Sequence, residues 1–218
     1  MRSIISVMIC VLGILISACG VKPADYYPLQ EGYVWTYNLG DASKLRTVEN
    51  FAVRAIDKKK VIPQKVDERG RTSFSFVVQE KNGVFEYAVQ PAGSTAPRVL
   101  DTPRCILKYP VRGGTTWQEE ASLGVLLESV PYTMTYTIEK KKETLTVPAG
   151  TFENCIKVSG SGLVEKDRGV LGALKVMVSH EIWYAPKVGM VRSIRKESGN
   201  HVLTGTSESI ILLESFKK

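Results

Sequence analysis

Between residues 33 and 216 apolar and polar positions alternate in short runs, and turn residues separate the runs. Residues 33–37 are aromatic and β-branched and follow a turn at Glu31-Gly32. Residues 45–56 alternate loosely, and Pro63 breaks the run 61–66, which reads as an edge strand at best. In 72–79, Phe74, Phe76 and Val78 share one face. Asn82-Gly83 is a two-residue hairpin signal, with 84–90 as the returning strand. Residues 104–111 and 115–119 continue the pattern, as do 132–139, where Tyr132, Met134, Tyr136 and Ile138 alternate with polar residues. Further strands are expected at 152–158, 174–183, 190–196 and 202–216, with a bulge or kink at Gly160-Ser161-Gly162. Only 123–130 reads equally as strand or short helix, and Pro131 bars a helix from running on. The prediction is an all-β chain with at most minor α structure. Its antiparallel sheet would curl into a half-barrel, barrel or sandwich.

One pattern occurs twice. Tyr27-Pro28-Leu29-Gln30-Glu31-Gly32-Tyr33-Val34-Trp35 and Tyr109-Pro110-Val111-Arg112-Gly113-Gly114-Thr115-Thr116-Trp117 both read Y-P-[LV]-x-x-G-x-x-W. Glycine permits the turn, and tryptophan opens the next strand as a large anchor. The echo predicts two related halves meeting near residues 91–103. It reads first as a repeated structural corner. The alternative is a binding face made by the Trp35 and Trp117 rings, with Trp183 as the third tryptophan of the chain.

The first 18 residues differ from the rest. Arg2 precedes an apolar run over 4–16, and Ser17-Ala18 lead into Cys19. This order of charge, apolar run and small residues is that of a signal peptide, and the cysteine makes it a lipobox. The run is too short for a permanent span, which takes about 20 residues. The expected organisation is a signal at 1–18, a lipidated tether at 19–25 on Cys19, and a single β-rich domain at 26–218. That places the protein in the cell envelope, with the membrane as partner through the lipid. Gly20 after the cysteine favours the outer membrane, facing periplasm or surface, if the source is Gram-negative.

The formal charge is +7, spread along the chain with no arginine-rich arm, so no nucleic-acid partner is expected. The Lys58-Lys59-Lys60 and Lys140-Lys141-Lys142 runs read as solvated hairpin tips that discourage edge pairing. If both point one way, they would meet anionic headgroups. Cys105 and Cys155 remain once Cys10 leaves and Cys19 is acylated. An even pair in an oxidising compartment predicts a disulfide, contributing about 4 kcal/mol on the chain-entropy model. The alternative is two buried thiols.

Three stretches resemble marks shared by a group of bacterial secreted proteins and lipoproteins of unknown function. They are Y-Y-P-L-x-x-G-x-x-W-T-Y at 26–37, V-P-A-G-T-F-x-x-C-x-x-V at 147–158, and W-Y-A-P-x-V-G-x-V at 183–191. The resemblance implies a structural framework and carries no catalytic residue. A broader likeness of form is to the curved sheets of outer-membrane lipoprotein localisation factors, whose concave face holds acyl chains.

The residues offer little chemistry. His180 and His201 lie apart, in no metal-ligand spacing, and no metal or cofactor is expected. His180 reads with Glu181 as a strand-surface pair. Ser179-His180-Glu181 cannot form a triad, because neighbours in a strand face opposite ways. Glu119, Glu120 and Glu128 could supply a hydrolase with carboxylates, as most chains of this length could. The sequence therefore predicts a non-enzyme that binds an envelope protein or an apolar ligand. The alternative is a structural protein without a pocket.

Overall fold

The structure is a computed structural model and describes residues 26–41, 43–125, 128–167, 172–200 and 205–218. The expected signal, lipobox and tether, and His201, lie outside these residues. Fourteen strands are described: β1 (Val34–Asn38), β2 (Leu45–Asn50), β3 (Arg54–Ile56), β4 (Lys59–Glu68), β5 (Arg71–Glu80), β6 (Gly83–Gln90), β7 (Arg98–Lys108), β8 (Thr116–Val125), β9 (Glu128–Ile138), β10 (Glu143–Val147), β11 (Gly150–Asp167), β12 (Ala173–Ala185), β13 (Gly189–Gly199) and β14 (Thr206–Lys217). No described residue is α-helical, so the minor helix allowed for at 123–130 is absent there. Its described part belongs to β8 and β9, which pair from Thr116↔Thr137 to Val125↔Glu128.

The strands form one antiparallel sheet ordered β7-β6-β5-β4-β2-β1-β14-β13-β12-β11-β9-β8, with β3 on β4 and β10 on β11. Adding seven to each label of the first half gives the second half, side strands included. The sheet is thus a seven-strand unit used twice. The sequence echo marks the start of each copy: its tryptophans are Trp35 in β1 and Trp117 in β8. The backbone repeats there as well. Gly32 N donates to Asn50 O at 2.9 Å and Asn50 N to Tyr33 O at 3.0 Å; Gly114 N donates to Ile138 O at 2.8 Å and Ile138 N to Thr115 O at 2.9 Å. Gly32 and Gly114 have φ of 81° and 88°, where a β-carbon would strain the turn. The halves therefore meet at 109–115, not near 91–103. Residues 91–97 only link β6 to β7, its hairpin partner.

The halves join through the β1–β14 ladder, from Val34↔Lys217 to Asn38↔Leu212. The equivalent junction, between β7 and β8, is not zipped. These are the two edges of the sheet, and they face each other across a seam. A side chain bridges it: Cys105 N donates to Glu119 Oε1 at 2.7 Å. The result is a nearly closed barrel.

Two local expectations are corrected. Pro63 lies in an interior strand, not an edge. It pairs with Phe76 of β5, and on its other side β3 stops at Val61 while β2 begins at Gln64. The missing N–H thus falls in the gap between two partners. Gly160 and Gly162 form no bulge; both pair regularly with β9 and β12. A β-carbon would lie 2.4 Å from Tyr136 Cε1 at Gly160 and 2.7 Å from Met134 Sδ at Gly162. Glycine is there so that β9 side chains can lie over β11.

Candidate functional site

The alternation that made these strands turns one face of each inward. Tyr132, Met134 and Tyr136 of β9 face a cavity of about 620 Å³ with Trp117 of β8 and His180 and Ile182 of β12. Trp117 stacks on Tyr136, ring centroids 5.3 Å apart and planes 20° apart. Arg195 of β13 is on the same wall. Its Nη2 donates to Tyr132 Oη at 2.7 Å and its Nε to Glu197 Oε1 at 2.9 Å, so the guanidinium is held in place. Across the seam, Arg104, Cys105 and Ile106 of β7 complete the lining.

A second cavity, about 210 Å³, adjoins the first through shared Ile106 and Tyr184. It is mainly apolar and aromatic, with Trp35, Tyr37, Val48, Val66 and Met190 on its wall. Its polar groups are largely engaged. Tyr27 Oη donates to Gln64 Oε1 at 3.1 Å, Gln64 Nε2 to Asn50 Oδ1 at 2.9 Å, and Tyr37 Oη to Met190 O at 3.2 Å. Burial pushes the Tyr27 hydroxyl up to about 12, so it stays protonated, and Arg46 on the same wall pairs with Glu68 at 2.7 Å. A third space, about 410 Å³, also lies against the seam and shares Arg104, Glu119 and Glu120 with the first.

His180 is not on the surface. Its Nδ1 is 3.2 Å from Tyr136 Oη and its Nε2 2.9 Å from Ser193 Oγ. Burial, then the nearby Arg195 charge, lower its pKa to about 4. Its neighbour Glu181 pairs with Lys157 instead. The Ser193–His180 contact has the length of a nucleophile–base pair, but an imidazole this acidic is a weak base. Tyr136, not a carboxylate, holds its other nitrogen, and Ser193 is 5 % exposed and outside the cavity lining. Glu119 is shifted upward by burial, while its bond from Cys105 N–H pulls the other way. That carboxylate closes the seam. Among the described residues no three His, Cys, Asp or Glu are grouped to hold a metal ion.

The predicted disulfide is not formed. Cys105 and Cys155 are free thiols. Cys155 is buried with Trp35 and Trp183, while Cys105 packs with Leu107 and Trp117 in a different cluster. Burial pushes Cys105 up to about 12 and Cys155 up to about 11, so neither is a ready nucleophile. The three tryptophans are all buried; Trp35 and Trp183 share one core cluster and Trp117 lies in another. Trp35 lines the smaller cavity and Trp117 the larger, while Trp183 lines neither and donates from Nε1 to Glu143 Oε2 at 2.8 Å. The inward face of β9 was legible as Tyr132, Met134 and Tyr136. Arg195 and Ile106 had no sequence signal, because only the curl of the sheet brings them together.

Comparison with known proteins adds little chemistry. A family model described as DUF3108-like matches residues 134–208, which lie within the second half of the barrel. No curated protein matches the chain. Two solved structures are similar in form. A predicted exported protein with a YmcC-like fold from Bacteroides fragilis is 18 % identical, with a TM-score of 0.46 over 88 % of this chain and 99 % of that one. A predicted lipoprotein of Parabacteroides distasonis is 19 % identical, with a TM-score of 0.41 over 88 % of this chain and 98 % of that one. Neither likeness bears on activity.

Proposed function

We propose that the chain is a lipid-anchored, non-enzymatic protein of the cell envelope that takes an apolar or amphiphilic ligand into its barrel through the β7–β8 seam. The observation that carries this reading is the pair of adjoining cavities, one mainly apolar with its Arg46 paired to Glu68, the other with Arg195 on its wall. Their combined form suits an apolar chain with a polar or anionic end. Each methylene moved from water into the aromatic pocket contributes about 0.8 kcal/mol. Arg195, already oriented by Tyr132 and Glu197, would give the head a charge-assisted hydrogen bond at little ordering cost. The lipobox at Cys19 supports the address.

A second reading, a protein partner, is favoured by one feature. The facing edges of β7 and β8 lack strand partners, and an extended segment could pair there.

Titration of the unlipidated chain with a fluorescent long-chain fatty acid tests the proposal. Saturable binding is expected, with displacement by unlabelled fatty acid. Ile106→Trp, at the neck shared by the cavities, should weaken it at least tenfold while leaving the circular dichroism unchanged. A wild-type chain that binds no long-chain amphiphile would sink the ligand reading in favour of the partner one.

A further inference from the structure

The two ends of the barrel differ in charge. In an antiparallel sheet successive connections alternate between its two rims, and the registers assign them. Val34 lies opposite both Lys217 and Glu49, so the start of β1 is level with the ends of β2 and β14. Gly83↔Lys108, Thr116↔Thr137 and Ala185↔Gly189 bring the remaining connections of that rim into line. This rim carries residues 26–33, 51–53, 57–58, 81–82, 109–115, 139–142, 148–149, 186–188 and 218, with the β3–β4 and β10–β11 hairpins reaching past it. Their charged side chains are eight cations, Lys58, Lys81, Arg112, Lys140-Lys141-Lys142, Lys187 and Lys218, against three acids, Glu31, Asp57 and Glu139. All eight cations are exposed, and among the described residues none of them makes an ion pair. Elsewhere pairing is common: Lys157 with Glu181, Lys166 with Glu128, and Lys175 with Glu165. The first lysine run lies at this end too, because Asn50↔Gln64 puts the start of β4 beyond the end of β2. Lys59 is engaged at 2.5 Å by Glu80, the last residue before the 81–82 turn, so its charge, unlike that of Lys58, is paired. The opposite rim has, in its described connections, Asp41, Lys44 and Arg69; the first two pair at 3.3 Å, and Arg69 lies 4.0 Å from Glu68.

The basic rim is also where the described chain begins. Tyr26 is buried there, its hydroxyl donating to Asn154 O at 3.2 Å. Cys19 is seven residues upstream, a span of at most about 25 Å when fully extended. A lipid on Cys19 would therefore hold this rim, and not the other, against the bilayer. We infer that the rim is a docking surface for anionic phospholipid headgroups, which sets the barrel upright on the membrane. The orientation rests on the lipid-anchor reading of Cys19, whereas the charge asymmetry does not. Unpaired exposed lysines keep their full attraction for an anionic surface, worth about fivefold in affinity each, and the attraction falls with salt.

The test uses residues 20–218, which contain all fourteen strands and lack the lipid. Co-sedimentation compares vesicles of phosphatidylcholine alone with vesicles containing phosphatidylglycerol, at low and physiological salt. The chain is expected to bind only the anionic vesicles and to lose binding as salt rises. Lys140→Gln, Lys141→Gln, Lys142→Gln and Lys187→Gln together should weaken binding at least 100-fold. Lys44→Gln with Arg69→Gln, on the opposite rim, should change it less than twofold. All these sites are exposed, and matching circular dichroism spectra confirm that each variant folds. Absence of wild-type binding to anionic vesicles, as expected if the rim meets an acidic protein instead, would overturn the inference. So would equal loss in the two sets of variants. Neither result touches fatty-acid binding in the cavity, which is read separately.

Discussion

Trp35 and Trp117 occupy equivalent places in the two seven-strand units, yet only Trp35 is satisfied. Trp35 Nε1 donates to Val188 O at 2.6 Å, whereas Trp117 Nε1 is buried with no partner. By the repeat, the counterpart of Val188 is Asn82, in the turn between β5 and β6. Asn82 O instead accepts from Tyr109 N at 2.9 Å. Trp35 sits beside the zipped β1–β14 junction and Trp117 beside the open β7–β8 seam. The two substitutions should therefore differ. Trp35→Phe removes a hydrogen bond and frees a partly buried carbonyl; Trp117→Phe removes an unpaired donor. We expect Trp35→Phe to cost about 1–3 kcal/mol more than Trp117→Phe in urea unfolding.

Gly160 should be equally intolerant of a methyl group. Its β-carbon would lie 2.4 Å from Tyr136 Cε1, and that ring is stacked on Trp117. Gly160→Ala is expected to cost about 1–3 kcal/mol and to shift the tryptophan emission, because the ring must move into the cavity. A Gly124→Ala control, with open space around the site, should be near neutral for packing.

His180 makes stability depend on pH. Its folded pKa is about 4, below the ordinary value of 6.5. The unfolded chain therefore takes up a proton first, between those values, and the folded state loses ground as pH falls through that window. The stability lost on reaching pH 4 is up to about 3 kcal/mol. Glu119 acts in the opposite sense, since burial raises its pKa and the folded state protonates it earlier. His180→Gln isolates the first effect. Chemical denaturation from pH 7 to 4 should show a shallower decline in the variant than in the wild type.

The free thiols give a simple chemical prediction. In a chain beginning at residue 20, reduction should leave both mass and melting temperature unchanged. Cys105 and Cys155 should react with a thiol reagent slowly in the native state and fully in denaturant, because burial keeps both protonated. A gain of two mass units on reduction would contradict the free-thiol structure.

Much of this molecule was written in its local patterns. Alternation marked most strands, and the Y-P-x-x-x-G-x-x-W echo marked the start of each half. Four things were not visible in sequence. Pro63 looked like an edge residue because a sequence does not show that two strands share one side of β4. His180 looked like a surface residue because a histidine inside a barrel has the same neighbours in sequence as one outside. The cysteines looked like a bonded pair because parity and compartment carry no geometry, and the fold places them in separate clusters. The cavity needs Ile106 of β7, Trp117 of β8 and Arg195 of β13 together, and only closure of the sheet unites them.

The most direct test of the central claim is native mass spectrometry of the unlipidated chain recovered from the periplasm of an expressing cell, beside the Ile106→Trp variant. The account predicts a wild-type species carrying an amphiphile that leaves on denaturation, and a variant that is largely bare. A wild-type chain that flies bare, or one that carries the same adduct as the variant in equal amount, would contradict it.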